Sequence, residues 1–272
     1  MEVVYLNHSD DKVNVKPHVM AVGFFDGIHK GHQALLSHAK QLARDANLSF
    51  TAMTFSPHPD VVLKGDTNRK YIMLLQQKIR RMEAMGVDKL FVIHFDRSFA
   101  SLPPSEFITK YIVDMNTRHI VVGFDFTFGF KALGNTNMLR RESIKQSFGL
   151  SVIPKKTYLK DKISSTLVRE LISKGEMNLI PSYLGTNYQI QATLHVTKAN
   201  QLIVKPTEAF LLPKSGAYDV EISQHDRKIR GIYHCYTDSE DELDLSASLL
   251  DMDQVCSIEF LARIETTRSV SI

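Results

Sequence analysis

Strand-like apolar runs alternate with helical patterns through residues 1–185, and this alternation constrains the fold more than any other feature of the chain. Runs typical of buried strands are Met20–Phe24, Phe50–Phe55, Leu90–Phe95, Ile120–Phe124 and Ser151–Pro154. Apolar spacing predicts helices over His32–Ala46, Tyr71–Met85, Pro104–Met115, Asn137–Phe148 and Ser165–Lys174. Strands that alternate with helices predict an α/β domain, in which a parallel sheet carries helices on both faces.

From about residue 186 the pattern changes to period-two strands separated by turns. The predicted strands are Tyr188–Val196, Gln201–Lys205, Ala217–Ile222, Ile229–Tyr236 and Val255–Ile264. Asp238–Asp244 is predicted to be an acidic, solvated surface loop. The sequence therefore predicts two domains, with an α/β domain at 1–185 and a small all-β module at 186–272.

Composition favours a cytoplasmic globular protein. Hydrophobic residues make up 43% of the chain, which is enough to fill a core, and no apolar run is long enough to span a membrane. The N-terminus shows no signal-peptide pattern. Cys235 and Cys256 do not form a Cys-x-x-Cys pair, so we expect buried thiols rather than a disulfide or a metal site. Self-association is not readable from the sequence.

Charge is distributed unevenly along the chain. Residues 1–183 carry 25 Lys and Arg against 17 Asp and Glu, whereas residues 184–272 carry 8 against 13. A basic N-terminal part suits a polyphosphate substrate. Nucleic acid is the alternative partner, but the basic residues are dispersed and no base-stacking motif accompanies them.

The first chemical motif is a turn that joins a predicted strand to a predicted helix, with the sequence Gly-Phe-Phe-Asp-Gly-Ile-His-Lys-Gly-His over residues 23–32. Its three glycines allow the backbone to approach a ligand closely. The helix N-terminus offers free N–H groups, and His29 and His32 add further hydrogen-bond donors. This combination predicts a phosphate site. The Gly-x-Gly-x-x-Gly and Walker signatures are absent, so the nucleotide would be held in a different way.

The second motif, Ile-Ser-Ser-Thr-Leu-Val-Arg over residues 163–169, opens the predicted helix that Gly175 closes. The hydroxyl groups could simply cap the helix. Thr166 and Arg169 are three residues apart and can face one side of its first turns, where they would bind a polyphosphate tail.

Two further motifs follow predicted strands. Phe-Ser-Pro-His-Pro over residues 55–59 is either a rigid turn or a preformed wall for a planar ring. In Val-Val-Gly-Phe-Asp-Phe-Thr-Phe-Gly over residues 121–129, some aromatic residues are expected in the core, while Asp125 at the strand end is a candidate acceptor for donors of a ligand. These loops and the histidine turn follow carboxyl ends of parallel strands, so they are predicted to share one rim of the sheet.

In order and spacing, these motifs resemble the adenylyltransferase module of the prokaryotic riboflavin kinase/FAD synthetase family. The resemblance covers residues 15–188 and includes Phe-Ala-Ser-Leu-Pro-Pro-Ser-Glu-Phe over residues 99–107 and the Tyr183-Leu184-Gly185 step. It implies a Rossmann-like nucleotidyltransferase domain that transfers AMP from ATP to FMN, with FAD and pyrophosphate as products. Mg²⁺ is expected to arrive with ATP, held largely by the nucleotide and water. No metal ligands are predicted on the protein.

The resemblance also implies roles for individual residues. The implied catalytic residues are His29, His32, Thr166 and Arg169. The implied ATP-binding residues are Gly23, Phe24, Asp26, Gly31, Gly123, Asp125, Ser164 and Ser165. The flavin side is implied to comprise Ser56, Pro57, His58, Pro59, Phe126 and Phe128.

The chain departs from the family in two places. Many relatives carry a basic residue before the glycine that follows Gly129, and here Lys131 is the candidate to replace it. More importantly, the kinase module of the family carries a glycine-rich strand and loop with a Gly-x-Pro-Thr-Ala-Asn box, which is absent here. We therefore expect a degenerate β-barrel that lacks riboflavin kinase activity.

Three alternatives to a single-function FAD synthetase remain open. The first is a bifunctional enzyme with weak kinase activity, against which the missing box argues. The second is nucleotidyl transfer to another small phosphate acceptor. The third is a non-catalytic flavin-binding regulator, which would have no need of the motif at residues 163–169.

Overall fold

The computed structural model describes residues 1–10, 14–199, 201–237, 239–245 and 251–265. The chain divides into two compact units. The first comprises Met1–Arg69 and Leu75–Thr157, and the second comprises Lys70–Leu74 and the chain from Tyr158 onward. No helix in the described part of the chain is long and apolar enough to cross a bilayer.

The elements of the first unit are, in chain order, β1 (Glu2–Leu6), β2 (His18–Val22), α1 (Lys30–Asp45), β3 (Ser49–Ser56), α2 (Pro59–Leu63), α3 (Leu75–Ala84), β4 (Lys89–His94), α4 (Arg97–Ala100), α5 (Pro104–Ile108), β5 (Thr117–Gly123), β6 (Thr127–Phe128), β7 (Gly134–Asn135), α6 (Thr136–Gln146) and β8 (Gly149–Ile153). Short 3₁₀ helices occupy Asp26–Ile28 and Phe130–Ala132, and a π-helical segment spans Thr109–Val113. The hairpin of β9 (Thr157–Tyr158) and β10 (Asp161–Lys162) follows β8.

Six parallel strands form the central sheet of the first unit, in the order β1-β4-β3-β2-β5-β8. Every residue of β2 is buried, as expected for a parallel strand that is covered on both faces. Helix α1 turns Leu35, Leu36 and Ala39 into the core. The predicted α/β, Rossmann-like fold is thereby confirmed.

The strand order reverses direction between β2 and β5. Strands β3 and β4 are added on one side of β2, whereas β5 and β8 are added on the other. Ligands of open parallel sheets bind outside the carboxyl ends of the strands at such a switch point. The turn that follows β2 begins at Gly23, and the segment that follows β5 begins at Phe124, so both lie at this point.

The second unit contains α7 (Ser165–Lys174), α8 (Ile180–Leu184) and the strands β11 (Tyr188–Val196), β12 (Leu202–Pro206), β13 (Gly216–Gln224), β14 (Arg227–Cys235), β15 (Asp241–Leu245) and β16 (Val255–Arg263). A 3₁₀ turn, Met177–Leu179, joins the two helices. The six strands close into an antiparallel barrel in the order β11-β12-β15-β14-β13-β16. The predicted all-β module is therefore confirmed as a barrel.

One continuous core joins the barrel to the helices that precede it. Val168 and Ile172 of α7 and Ile180 of α8 pack in the same apolar cluster as Tyr218 and Phe260 of the barrel. The compact unit therefore begins near residue 158, ahead of the predicted domain boundary at 185/186.

Several sequence predictions need correction. The acidic segment Asp238–Asp244 is only in part a solvated loop: Ser239 and Glu240 are exposed and outside any strand, whereas β15 begins at Asp241 and pairs with β12 and β14. The carboxylate of Asp241 is buried and accepts hydrogen bonds from the Tyr233 hydroxyl (2.6 Å) and the Tyr236 backbone N–H (2.8 Å). Asp238 itself lies outside the described residues.

The other corrections concern element ends. The helix predicted from Tyr71 begins at Leu75, because the Tyr71 backbone instead exchanges hydrogen bonds with Ala209 and Leu211. The helix predicted over Pro104–Met115 becomes π-helical at Thr109. Strand β2 ends at Val22 rather than at Phe24. The left-handed turn follows shortly after, with a positive φ of 57° at Phe25 that a strand does not allow. Strand β1 had no prediction.

Candidate active site

A turn with left-handed backbone links β2 to α1. Positive φ angles occur at Phe25 (57°), Gly27 (78°) and Ile28 (43°), and the side chains of Phe25 and Ile28 are fully buried beneath the turn. A Cβ atom on Gly23 would lie 3.1 Å from the Phe25 ring, so the glycine makes room for that ring. Backbone strain held in place by packing is typical of functional turns.

His29 caps the N-terminus of α1. Its Nδ1 accepts a hydrogen bond from the His32 backbone N–H at 3.2 Å. When Nδ1 of a neutral imidazole accepts, the proton resides on Nε2. The cap therefore fixes the neutral tautomer in which Nε2 of His29 carries the proton.

His32 stacks on His29, with ring centroids 3.7 Å apart and planes 12° from parallel. Burial, the neighbouring His29 imidazole and the Lys78 ammonium hold the pKa of His32 well below its usual value. Among the described residues, no group hydrogen-bonds its buried Nδ1. Gly31 lies between the two histidines in the first turn of α1. The helix terminus and the stacked imidazoles together form a site suited to an anion.

Two buried charged residues accompany this turn, one within it and one on α3. Asp26 is 3% exposed and belongs to the turn, while Lys78 of α3 is equally buried. The Lys78 ammonium donates hydrogen bonds to the Phe24 carbonyl at 2.6 Å and to Thr54 Oγ1 at 3.1 Å. Neither Lys78 nor Thr54 was predicted from the sequence. The available signal was a lysine four residues before Met82 on the apolar face of a helix.

The Ser56–Pro59 loop adjoins the same turn through aromatic contact. The His58 ring meets the Phe24 ring edge-on at 4.3 Å, and the Ser56–Pro57 peptide bond is cis. His58 also caps α2, where its Nδ1 accepts from the Asp60 backbone N–H at 3.0 Å.

Arg69 holds this loop in place, and the sequence had not indicated it. Its Nη1 donates to Asp60 Oδ2 at 2.8 Å, and its Nη2 lies 2.9 Å from His58 Nε2. The pKa of the Asp60 carboxylate is lowered, chiefly by its hydrogen bond with Lys64 and further by the nearby positive charges.

The predicted site residues in the loop that follows β5 differ in how far they are buried. Asp125 is exposed beside Gly123, whose hypothetical Cβ would lie 3.2 Å from Asp125 Oδ1. Phe126 is half-buried and its ring stacks on Phe128 at 5.6 Å. Phe128 is 6% exposed and packs on Phe107 at 5.0 Å, so it is a core residue here.

The motif at the start of α7 belongs to the second unit. Ser164 is its N-cap and accepts from the Leu167 backbone N–H at 3.3 Å, which confirms the capping interpretation. Ser165 and Thr166 lie in the first turn. Arg169 donates to the Lys70 carbonyl. The helix ends at Gly175 with a φ of 78°, as predicted.

The first unit brings six of the predicted site residues together around the histidine turn and its neighbouring loop: Gly23, Phe24, Asp26, His29, His32 and His58. In the described part of the chain, no three His, Cys, Asp or Glu side chains are arranged to hold a metal ion.

Comparison with known proteins shows which family the chain matches. The family model described as FAD synthetase matches residues 11–167. A bifunctional riboflavin kinase/FMN adenylyltransferase of Listeria monocytogenes is 37% identical over 81% of this chain and 73% of its own length. That of Bacillus subtilis is 30% identical over 98% of this chain and 91% of its own length.

Two further relatives extend the comparison. A protein named FAD synthetase from Listeria monocytogenes is 30% identical over 81% of this chain and 87% of its own length. A crystal structure titled as a macrolide-efflux protein from Streptococcus pneumoniae has a TM-score of 0.89, with 25% identity over 99% of this chain and 94% of that one. On the strength of the matched family model and these identities, the chain belongs to the FAD synthetase family and is a nucleotidyltransferase.

Proposed function

We propose that this protein transfers AMP from ATP to FMN, forming FAD and pyrophosphate, and that it does not phosphorylate riboflavin. The observation that carries the proposal is the stacked His29–His32 pair at the N-terminus of α1, at the switch point of the sheet, with His29 buried and His32 partly buried. The relatives named as FMN adenylyltransferases and FAD synthetase support the same reaction.

The reaction requires alignment and charge stabilisation more than acid–base chemistry. An oxygen of the FMN phosphate, ionised at neutral pH, attacks the α-phosphorus of ATP. The bond from that phosphorus to the bridging oxygen breaks, and pyrophosphate leaves with the electron pair. In this proposal the N–H groups of the helix terminus and His29 Nε2–H stabilise charge on the phosphoryl oxygens.

The remaining predicted residues keep their roles as part of the proposal. Thr166 and Arg169, with Ser164 and Ser165, orient the pyrophosphate group. Gly123 and Asp125 contact the adenylate, and the Ser56–Pro59 loop contacts the flavin. Mg²⁺ enters with ATP as part of the substrate.

One feature of the sequence supports the absence of kinase activity. The Pro-Thr-Ala-Asn box is missing from the sequence. The relative named FAD synthetase, without a kinase in its name, is in line with this part of the proposal.

The test incubates the purified protein with Mg-ATP and either FMN or riboflavin, and separates the flavins by chromatography. A double variant, His29→Ala with His32→Ala, purified in the same way controls for contaminating enzymes. We expect FAD from FMN and no phosphorylated flavin from riboflavin. FMN or FAD formed from riboflavin would show that the barrel still phosphorylates. No product from FMN would refute the adenylyl transfer itself.

A further inference from the structure

Lys78 is a buried lysine whose position needs an explanation. Its side chain is 3% exposed, although it lies on α3, where Gln76 and Arg80 face solvent. Burial of an ammonium group is costly unless it is paired and hydrogen-bonded. A lysine at such a site is therefore retained for its contacts rather than for packing alone.

The contacts of Lys78 converge on the backbone of the histidine turn. Its Nζ donates to the Phe24 carbonyl at 2.6 Å, and the hydroxyl of Thr54 donates to the same carbonyl at 2.9 Å. Nζ also donates to Thr54 Oγ1 at 3.1 Å and lies 4.4 Å from the centroid of the Phe24 ring. The first residue after Gly23 is thus tied to both β3 and α3.

The ammonium charge of Lys78 interacts with both Asp26 and His32. Burial lowers the pKa of Lys78 to about 8, and the nearby Asp26 carboxylate opposes that shift. After burial and His29, Lys78 is the next cause of the lowered pKa of His32. The ammonium therefore lies close enough to the imidazole pair to influence whether that pair carries charge.

We propose that Lys78 is a positioning residue of the phosphate site: its ammonium group tethers the Phe24 carbonyl, fixes the turn that carries His29 and His32, and supplies a positive charge beneath that turn for the polyphosphate. This inference rests on the proposed adenylyl transfer. Lys78 acts through the turn, whereas the histidines act on the phosphates.

The test compares three variants. Lys78→Met keeps the length of the buried stem and removes the charge, Lys78→Arg restores a charge, and Arg80→Met is the matched control on the exposed face of the same helix. We expect Lys78→Met to lower kcat for FAD formation at least ~10-fold and to raise KM for Mg-ATP, in keeping with loss of one fixed electrostatic group. Arg80→Met should match the wild type, and Lys78→Arg should recover part of kcat.

A second readout separates positioning from simple support of the fold. Nitrogen-15 NMR of the imidazoles should show a higher pKa for His32 in Lys78→Met than in Arg80→Met, because a positive neighbour has been removed. If kcat and the His32 pKa are both the same in the two variants, the assignment of Lys78 is wrong.

A third experiment uses the wild-type protein and therefore does not depend on whether the variants fold. With lysines labelled with carbon-13, one side-chain signal should titrate near pH 8, and saturating pyrophosphate should raise its pKa. If saturating pyrophosphate leaves the pKa of this lysine unchanged, the proposal is overturned. If the wild type makes no FAD from FMN, the proposed function fails, while this titration and its response to pyrophosphate still decide the role of Lys78 in a phosphate site.

Discussion

At the scale of single residues, His29 combines two tasks that mutation can separate. The side chain caps α1 and also provides the Nε2–H donor. Asparagine is a good N-cap but lacks the imidazole, so His29→Asn should keep the cap while removing the donor. Alanine removes both, at a cost of ~1 kcal/mol for the cap.

We therefore expect His29→Asn and His29→Ala to lower kcat for FAD formation similarly, by ~10²-fold or more, as for loss of a transition-state donor. Both variants lose the stack on His32, but His29→Ala should lower the free energy of unfolding further, because it also loses the cap. Chromatographic rate assays and urea titrations measure the two effects, with Arg80→Met on the exposed face of α3 as control. Near-wild-type turnover in His29→Asn would exclude the donor role.

The buried imidazoles also predict how stability depends on pH. The pKa of His32 is well below its ordinary value of 6.5 in the folded protein, so below pH 6.5 the unfolded chain binds a proton that the folded chain does not. The free energy of unfolding therefore falls as the pH drops below 6.5. His18, whose pKa is also lowered chiefly by burial, contributes in the same direction.

Urea unfolding between pH 7.5 and pH 5 measures this dependence. His32→Phe keeps an aromatic ring and cannot titrate, so it should flatten the pH profile in part, while His18 keeps some slope. A His32→Phe profile as steep as that of the wild type would contradict the low pKa of His32.

At the scale of elements, α7 depends on the glycine at its C-terminus. Gly175 has a φ of 78°, and a Cβ there would lie 2.5 Å from the buried Tyr218 hydroxyl. Gly65 has a similar φ of 69° but no atom within 4 Å of a hypothetical Cβ. Comparison of alanine variants at Gly175 and Gly65 therefore separates steric overlap from backbone strain. Backbone strain alone costs ~1–2 kcal/mol for a left-handed residue.

Gly65→Ala should thus destabilise by about 1 kcal/mol, and Gly175→Ala by at least 1 kcal/mol more, because the Tyr218 ring fills the barrel interior and has little room to shift. Thermal and urea unfolding of both variants test this difference. Equal losses would mean that the barrel yields to the added methyl group.

Local signals explain which elements the sequence could predict. Helix α7 and strand β11 were predicted with their observed ends, because Ser164 and Gly175 bound the helix and clean alternation marks the strand. Strand β15 could not be recognised, since its acidic residues resemble a surface loop until Tyr233 and the Tyr236 backbone satisfy Asp241. The left-handed turn and the contacts of Lys78 depend on tertiary packing, which the sequence pattern does not encode locally.

At the scale of the whole molecule, the barrel has a role that the loss of a kinase box leaves intact. It shares one apolar core with α7 and α8, so the Ser-Ser-Thr-x-x-Arg motif lies on a helix that is packed against the barrel. Under the proposed function, the barrel supports that helix. The predicted boundary at 185/186 would separate the helix from its support.

A chain cut after residue 185 tests this role. Val168, Ile172 and Ile180 would lose barrel partners and expose apolar surface, so residues from 158 to 185 should be cleaved rapidly by protease in the shortened chain but resist cleavage in the full chain. The parallel sheet has its own core around Met20 and Phe91, and fragments containing it should resist cleavage in both. Limited proteolysis with mass spectrometry measures both regions in one experiment. Protection of α7 in the shortened chain equal to that in the full chain would show that the helix does not need the barrel.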